Sequence, residues 1–115
     1  MAFEQSISLK DCRYTYAIDP NIKKYALKDL TFSENKVGHL ELSRILEELP
    51  NSGVGFLLKI VIHKDLTGFK LNITDQSGLR LVNIFKSEDH KILQDKFYFL
   101  MDSLVERHIF TKIEQ

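Results

Sequence analysis

The chain has 115 residues, of which 43% are apolar, and carries sixteen basic and sixteen acidic side chains. That length suits one domain, residues 1–115, with one core, and the apolar share argues against wholesale disorder. The charges balance within each half of the chain as well, which argues against a nucleic acid or an anionic membrane as partner. Cys12 is the only cysteine, which excludes an internal disulfide and a Cys-rich zinc site. The opening "MAFEQSISLKD" lacks the basic-then-apolar pattern of a signal peptide, and the longest apolar run is interrupted by Lys59. The expectation is a cytoplasmic protein with no membrane span.

In chain order, "FEQSISL" and "RYTYAI" read as two short strands joined near Lys10-Asp11, with Tyr14, Tyr16 and Ile18 on one face. Asp19-Pro20 opens two readings. The preferred one is a turn at 20–24 followed by a strand through "KYALKDLTF"; this strand would form a hairpin with "VGHLEL" around Ser33-Glu34-Asn35-Lys36. The other is a helix over 20–30, capped by Asp19-Pro20, with Ile22, Tyr25, Ala26 and Leu30 on one face. "RILEELPNSG" reads as an exposed loop, broken by Pro50 and Asn51-Ser52-Gly53.

A β-meander is expected over about 55–86. "GFLLKIVIH" points Phe56, Leu58, Ile60 and Ile62 one way. "FKLNIT" alternates, with Phe69, Leu71 and Ile73 inward. "LRLVNIF" is the expected third strand, with Leu79, Leu81 and Phe85 on one side. A long helix follows at about 88–108, with Ser87 as N-cap and Glu88 and Asp89 in its first turn. Leu93, Phe97, Leu100, Met101, Leu104, Val105 and His108 form one stripe along it. Burying its six apolar members contributes on the order of 10–15 kcal/mol gross. His108 reads as a packed or capping histidine, and "IFTKI" as a short closing strand.

The pattern Asp-x-Thr/Ser-Gly occurs twice, as Asp65-Leu66-Thr67-Gly68 and Asp75-Gln76-Ser77-Gly78. Both copies read as type I turns, with the Asp first and the Gly fourth in a left-handed conformation. Because the two turns flank one strand, they lie roughly 20 Å apart and cannot share a small site. Any ligand site there would use one turn and its neighbours: Asp75, Ser77 and Arg80, with Asn83 or Lys86.

Other chemistry is sparse. His39, His63, His90 and His108 show no metal-ligand spacing, and no metal or cofactor is expected. Cys12 follows Asp11, whose charge does not favour a thiolate. No nucleophile elbow and no Gly-rich phosphate loop is present. Lys23, Lys24 and Lys28 with Tyr14, Tyr16 and Tyr25 make a weak basic-aromatic set, interleaved with acids.

The runs "KDLTGFKLNITDQSGLRLVNIFKS", "LVERHIFTK", "MAFE" and "DPNIKKYALKDLTF" resemble a small uncharacterised family of low-GC Gram-positive bacteria, a domain of unknown function with a suggested role in amino-acid metabolism. The resemblance covers the whole chain. It implies an α+β fold in which two small antiparallel sheets pack with one long C-terminal helix, and it weighs against the helix at 20–30. It also implies a remote likeness in fold to prokaryotic S-adenosylmethionine decarboxylases, which cut themselves at a Glu-Ser bond. This sequence contains no Glu-Ser dipeptide; Ser33 and Ser87 precede a glutamate instead. The decarboxylase activity is therefore not expected to carry over. The reading from sequence is a non-catalytic accessory or binding protein of amino-acid metabolism, partnered by an enzyme of that metabolism or by a second copy. The alternatives are a metabolite-binding protein or small enzyme with a site near Asp75–Arg80, and a homodimer or interaction domain built on a sheet edge.

Overall fold

A computed structural model describes residues 3–48 and 55–115. The elements are β1 (Ser6–Ser8), β2 (Tyr14–Ile18), α1 (Lys24–Asp29), β3 (Ser33–Glu34), β4 (Leu40–Leu46), β5 (Phe56–Ile62), β6 (Phe69–Thr74), α2 (Lys91–Glu106) and β7 (Phe110–Glu114). They make an α+β fold with two antiparallel sheets, one ordered β1-β2-β7 and the other β3-β4-β5-β6. The closing strand β7 is present, and it pairs with β2, placing Ile18 opposite Phe110.

The strands follow their period. Leu58, Ile60 and Ile62 of β5 and Phe69, Leu71 and Ile73 of β6 are buried, as are Leu40, Leu42 and Leu46 of β4. α2 lays Leu93, Phe97, Met101 and Leu104 into the same core, while Leu100 and Val105 are half-buried at its margin. Ser87 caps the helix approach, its hydroxyl accepting from Asp89 N–H at 3.1 Å.

After Asp19 the chain makes the expected turn, but a short helix and not a strand follows it. Asp19 Oδ1 accepts from Asn21 N–H at 2.8 Å, and Asp19 C=O accepts from Ile22 N–H at 3.0 Å. α1 then runs for six residues and buries Ala26 and Leu27, with Ile22 beside them. The face differs from the alternative reading too, because Tyr25 is exposed. The helix ends in a Schellman motif: Phe32 N–H bonds to Leu27 C=O at 3.0 Å and Thr31 N–H to Lys28 C=O at 3.2 Å. α2 ends in the same way, with Ile109 N–H on Leu104 C=O and His108 N–H on Val105 C=O, both at 3.0 Å. Thr31 (φ 71°) and His108 (φ 61°) occupy the left-handed position that usually goes to glycine. His108 thus closes the helix and is exposed, not packed; its Nδ1 lies 3.6 Å from Asp19 Oδ2.

The expected hairpin is displaced: residues 24–32 contribute no strand, and Ser33–Glu34, expected in the turn, form β3 while the turn moves to 35–39. Ser33–Glu34 pairs with Leu40–Glu41, and Asn35 Oδ1 gathers the N–H groups of Val37, Gly38 and His39 at 3.0–3.1 Å. Of the expected loop "RILEELPNSG", Arg44–Leu46 belongs to β4, and residues 49–53 lie outside the described residues.

The expected third meander strand at 79–85 does not form. Beyond the Asp75 turn it makes a single bridge, Thr74 to Leu81, and one further bond, Val82 N–H to Ile73 C=O at 2.9 Å. Asn83 then turns the chain away. Its Oδ1 accepts from Phe85 N–H at 2.8 Å, and its Nδ2 donates to Asp11 Oδ2 at 2.9 Å. This drops Ile84 into the core and leaves Leu79 and Leu81 exposed, opposite to the alternation of the sequence. Gln94 of α2 holds the diverted segment, donating to the carbonyls of Ile84 and Ser87 at 2.8 and 3.0 Å.

Leu104→Ala, at a fully buried helix position, is expected to cost about 2–5 kcal/mol in urea unfolding. Phe99→Ala, on the solvent face of the same helix, is expected to cost less than about 0.5 kcal/mol. Equal losses at the two positions would overturn this placement of α2.

Candidate functional site

The two Asp-x-Thr/Ser-Gly copies fold differently. The second is the expected turn: Gly78 N–H bonds to Asp75 C=O at 3.0 Å, Gly78 has φ 80°, and Asp75 N–H bonds to Arg80 C=O at 2.9 Å. In the first, the turn begins two residues earlier. Leu66 N–H bonds to His63 C=O at 2.7 Å and His63 N–H to Gly68 C=O at 2.9 Å. Leu66, not Gly68, takes the left-handed conformation, with φ 64°. Asp65 therefore sits inside its turn, accepting from Thr67 N–H at 3.0 Å and Thr67 hydroxyl at 2.5 Å. The Thr67 hydroxyl bond is the main reason that the Asp65 carboxyl titrates below the usual aspartate range; His63 Nδ1, 2.8 Å away, adds to it. The Ser77 hydroxyl does the same for Asp75. The turns lie at the two ends of β6, as expected.

Gly68 has another role. A Cβ on it would lie 3.2 Å from Phe3 Cβ and 3.4 Å from Glu4 C=O. Its bareness lets the N-terminal segment reach the outer edge of β6, where Glu4 and Phe69 exchange both backbone hydrogen bonds, at 3.0 and 2.8 Å. Phe3 seats against His39 and His63, with ring centroids 4.8 and 4.9 Å away. His39 is held below the usual histidine range, first by desolvation and then by the charges of its neighbours, foremost His63.

Between this joint and the Val82–Ile73 bond lies a cavity of about 350 Å³. Ile7 lines it from β1 and Leu9 from the residue just after that strand, Leu71 and Ile73 from β6, and Leu81, Val82 and Phe85 from the diverted segment. Glu4, Lys10, Lys70, Asn72 and Asn83 supply its polar groups. Its volume falls within the range of small-molecule sites, and its mixture of apolar walls with a few polar groups is typical of them. A second depression, of about 460 Å³ beside Asn21, Tyr25 and His108, is more polar and lacks such walls.

Of the five residues expected to bind a ligand, Asn83 lies in the cavity wall. Asp75, Ser77 and Arg80 lie on the adjoining turn, and Lys86 is exposed further along the diverted segment. The rest of the cavity comes from Leu81, Val82 and Phe85 beside Asn83 and from residues 4–10 and 70–73, which sequence spacing does not connect to it. The open edge of β6 is the signal that points there. Among the described residues no three His, Cys, Asp or Glu side chains are grouped to hold a metal ion. No helix among them is long and apolar enough to cross a membrane. In the basic-aromatic set, Tyr16 is buried, and Lys24 and Lys28 pair with Glu34 at 3.1 and 3.6 Å.

Comparison with known proteins places this architecture. The family DUF1831, described as "Putative amino acid metabolism", matches residues 1–111. The chain belongs to the DUF1831 family. A crystal structure of a DUF1831 family protein from Lactobacillus plantarum, at 31% identity, superposes with a TM-score of 0.89 over 98% of this chain and 99% of that one. No curated protein matches the chain.

Two outcomes test this geometry. Gly68→Ala is expected to push Phe3 and Glu4 off the β6 edge, so that amide hydrogen exchange at Glu4 and Phe69 accelerates while that of β5 is unchanged. Thr67→Val is expected to raise the Asp65 carboxyl toward the ordinary range in an NMR pH titration. A depressed carboxyl adds stability above its unfolded-state value and loses it as pH falls through its folded value, so acid loss of stability below about pH 4 should be shallower in the variant.

Proposed function

We propose that this protein is a cytosolic, non-catalytic binding or accessory protein of amino-acid metabolism that captures a small amphipathic metabolite in the cavity between β1 and β6. The cavity itself carries the reading: a preformed, largely apolar chamber whose lining contains no Cys, His, Ser or Thr. The charged side chains of that lining, Glu4, Lys10 and Lys70, can orient a ligand by its own charges. The family description supplies the metabolic setting. Asn83, fixed by Asp11 on one side and Phe85 N–H on the other, is the member of the expected site that contributes to the wall. The partner in this reading is an enzyme that uses the same metabolite, or a second copy of the chain docked on the free edge of β7.

A thermal-shift screen over amino acids, their keto and hydroxy acids and adenosyl metabolites tests it. A true ligand at one hundred times its dissociation constant adds about 2.7 kcal/mol of stability. Absence of a shift with every compound at millimolar concentration would overturn metabolite capture.

A further inference from the structure

The outer edge of β6 is closed at both ends and open in the middle. The His63–Gly68 bond fixes the parity of the strand: Lys70, Asn72 and Thr74 turn their backbone groups toward β5, and Phe69, Leu71 and Ile73 turn theirs outward. Phe69 spends both groups on Glu4, and Ile73 C=O accepts from Val82. Leu71 N–H, Leu71 C=O and Ile73 N–H have no hydrogen-bond partner among the described residues. Backbone groups at such an edge require water or a ligand. The open stretch, from Phe69 to Ile73, is roughly 13 Å long. It runs along the cavity, so its free donors and acceptor border the apolar walls of Ile7, Leu9 and Phe85.

The closed ends decide what fits. A polypeptide adding a strand to β6 would need to enter and leave past the Glu4 and Val82 segments, which occupy those places. A molecule about one residue long needs no exit. It must present an acceptor to Leu71 N–H and a donor to Leu71 C=O, with an apolar body between the sheets. Charged groups of both signs stand in the lining: the carboxylate of Glu4 and the ammonium groups of Lys10 and Lys70. Lys70 Nζ is held 4.5 Å from the centre of the Phe3 ring, while Glu4 and Lys10 have no ion-pair partner among the described residues.

Resting on the metabolite-binding reading above, we propose that the ligand is a free apolar α-amino acid, bound as an extra residue on the β6 edge. Its carboxylate accepts from Leu71 N–H and takes the charge of Lys10 or Lys70. Its ammonium donates to Leu71 C=O and faces Glu4. Its side chain lies against Ile7, Leu9 and Phe85.

The test is an amide NMR titration of the full chain with L-leucine, L-methionine and L-phenylalanine, alongside L-leucinamide and 4-methylpentanoate. Saturable shifts at Leu71 and Ile73, with at least tenfold weaker binding of the two compounds that lack one charged group, are the expected result. Leu81→Trp, which fills the cavity from an exposed position, should abolish the shifts and leave the rest of the spectrum in place. Equal affinity for the amide or the deaminated acid would overturn the amino-acid headgroup while leaving metabolite capture intact. Saturable binding whose shifts fall away from Leu71 and Ile73, or no binding of any of the three amino acids, would overturn the site.

Discussion

The pair of backbone hydrogen bonds between Glu4 and Phe69 is the joint on which the rest of the molecule depends. Phe69 belongs to the four-stranded sheet, yet both of its outward backbone groups bond to the segment that leads into β1. Its ring lies 4.6 Å from that of Phe110, at the start of β7 in the other sheet. One residue therefore ties the two sheets together by backbone on the edge and by side chain in the core. This contact brings β1 beside β6, and α2, packed against β4 of one sheet and β7 of the other, joins them a second time. The joint exists because Gly68 has no side chain to obstruct it.

Much of this fold was legible in the sequence where the periodic signal is strong and local. β5, β6 and the α2 stripe are long enough for side-chain spacing to decide between strand and helix. The Asp75 turn was legible too, since Asp and Gly fall where the backbone needs them. The failures have non-local causes. Segment 79–85 alternates like a strand, but Asn83 finds Asp11, seventy-two positions away, and the chain leaves the sheet. α1 is only six residues long, and its face is set by packing of Leu27 and Phe32, which propensity does not reveal. The doubled motif misled in an instructive way: the residues repeat at a spacing of ten, whereas the turns repeat at twelve, from His63 to Asp75.

The candidate site shows the same division. Asn83 could be picked out from a polar cluster near a turn. The cavity could not, because it is bounded by residues 4–10, 70–73 and 81–85, brought together by three edge bonds. Part of what it offers is the backbone polarity of the β6 edge, and backbone groups carry no signature in the residue types. A search of the sequence for catalytic side chains passes over such a place.

Thr31, Leu66 and His108 hold left-handed backbone without being glycine. For a residue with a side chain, and most of all for branched Thr31, that conformation is uphill by itself. It persists because the residue that follows each helix stop, Phe32 or Ile109, is anchored in the core. The stop signals of both helices are thus written in tertiary packing and not in local preference. A helix ended by glycine can keep its terminus while the core loosens; these cannot. Loss of the core should release both helix ends together, so that the chain melts as one cooperative unit instead of fraying from its elements.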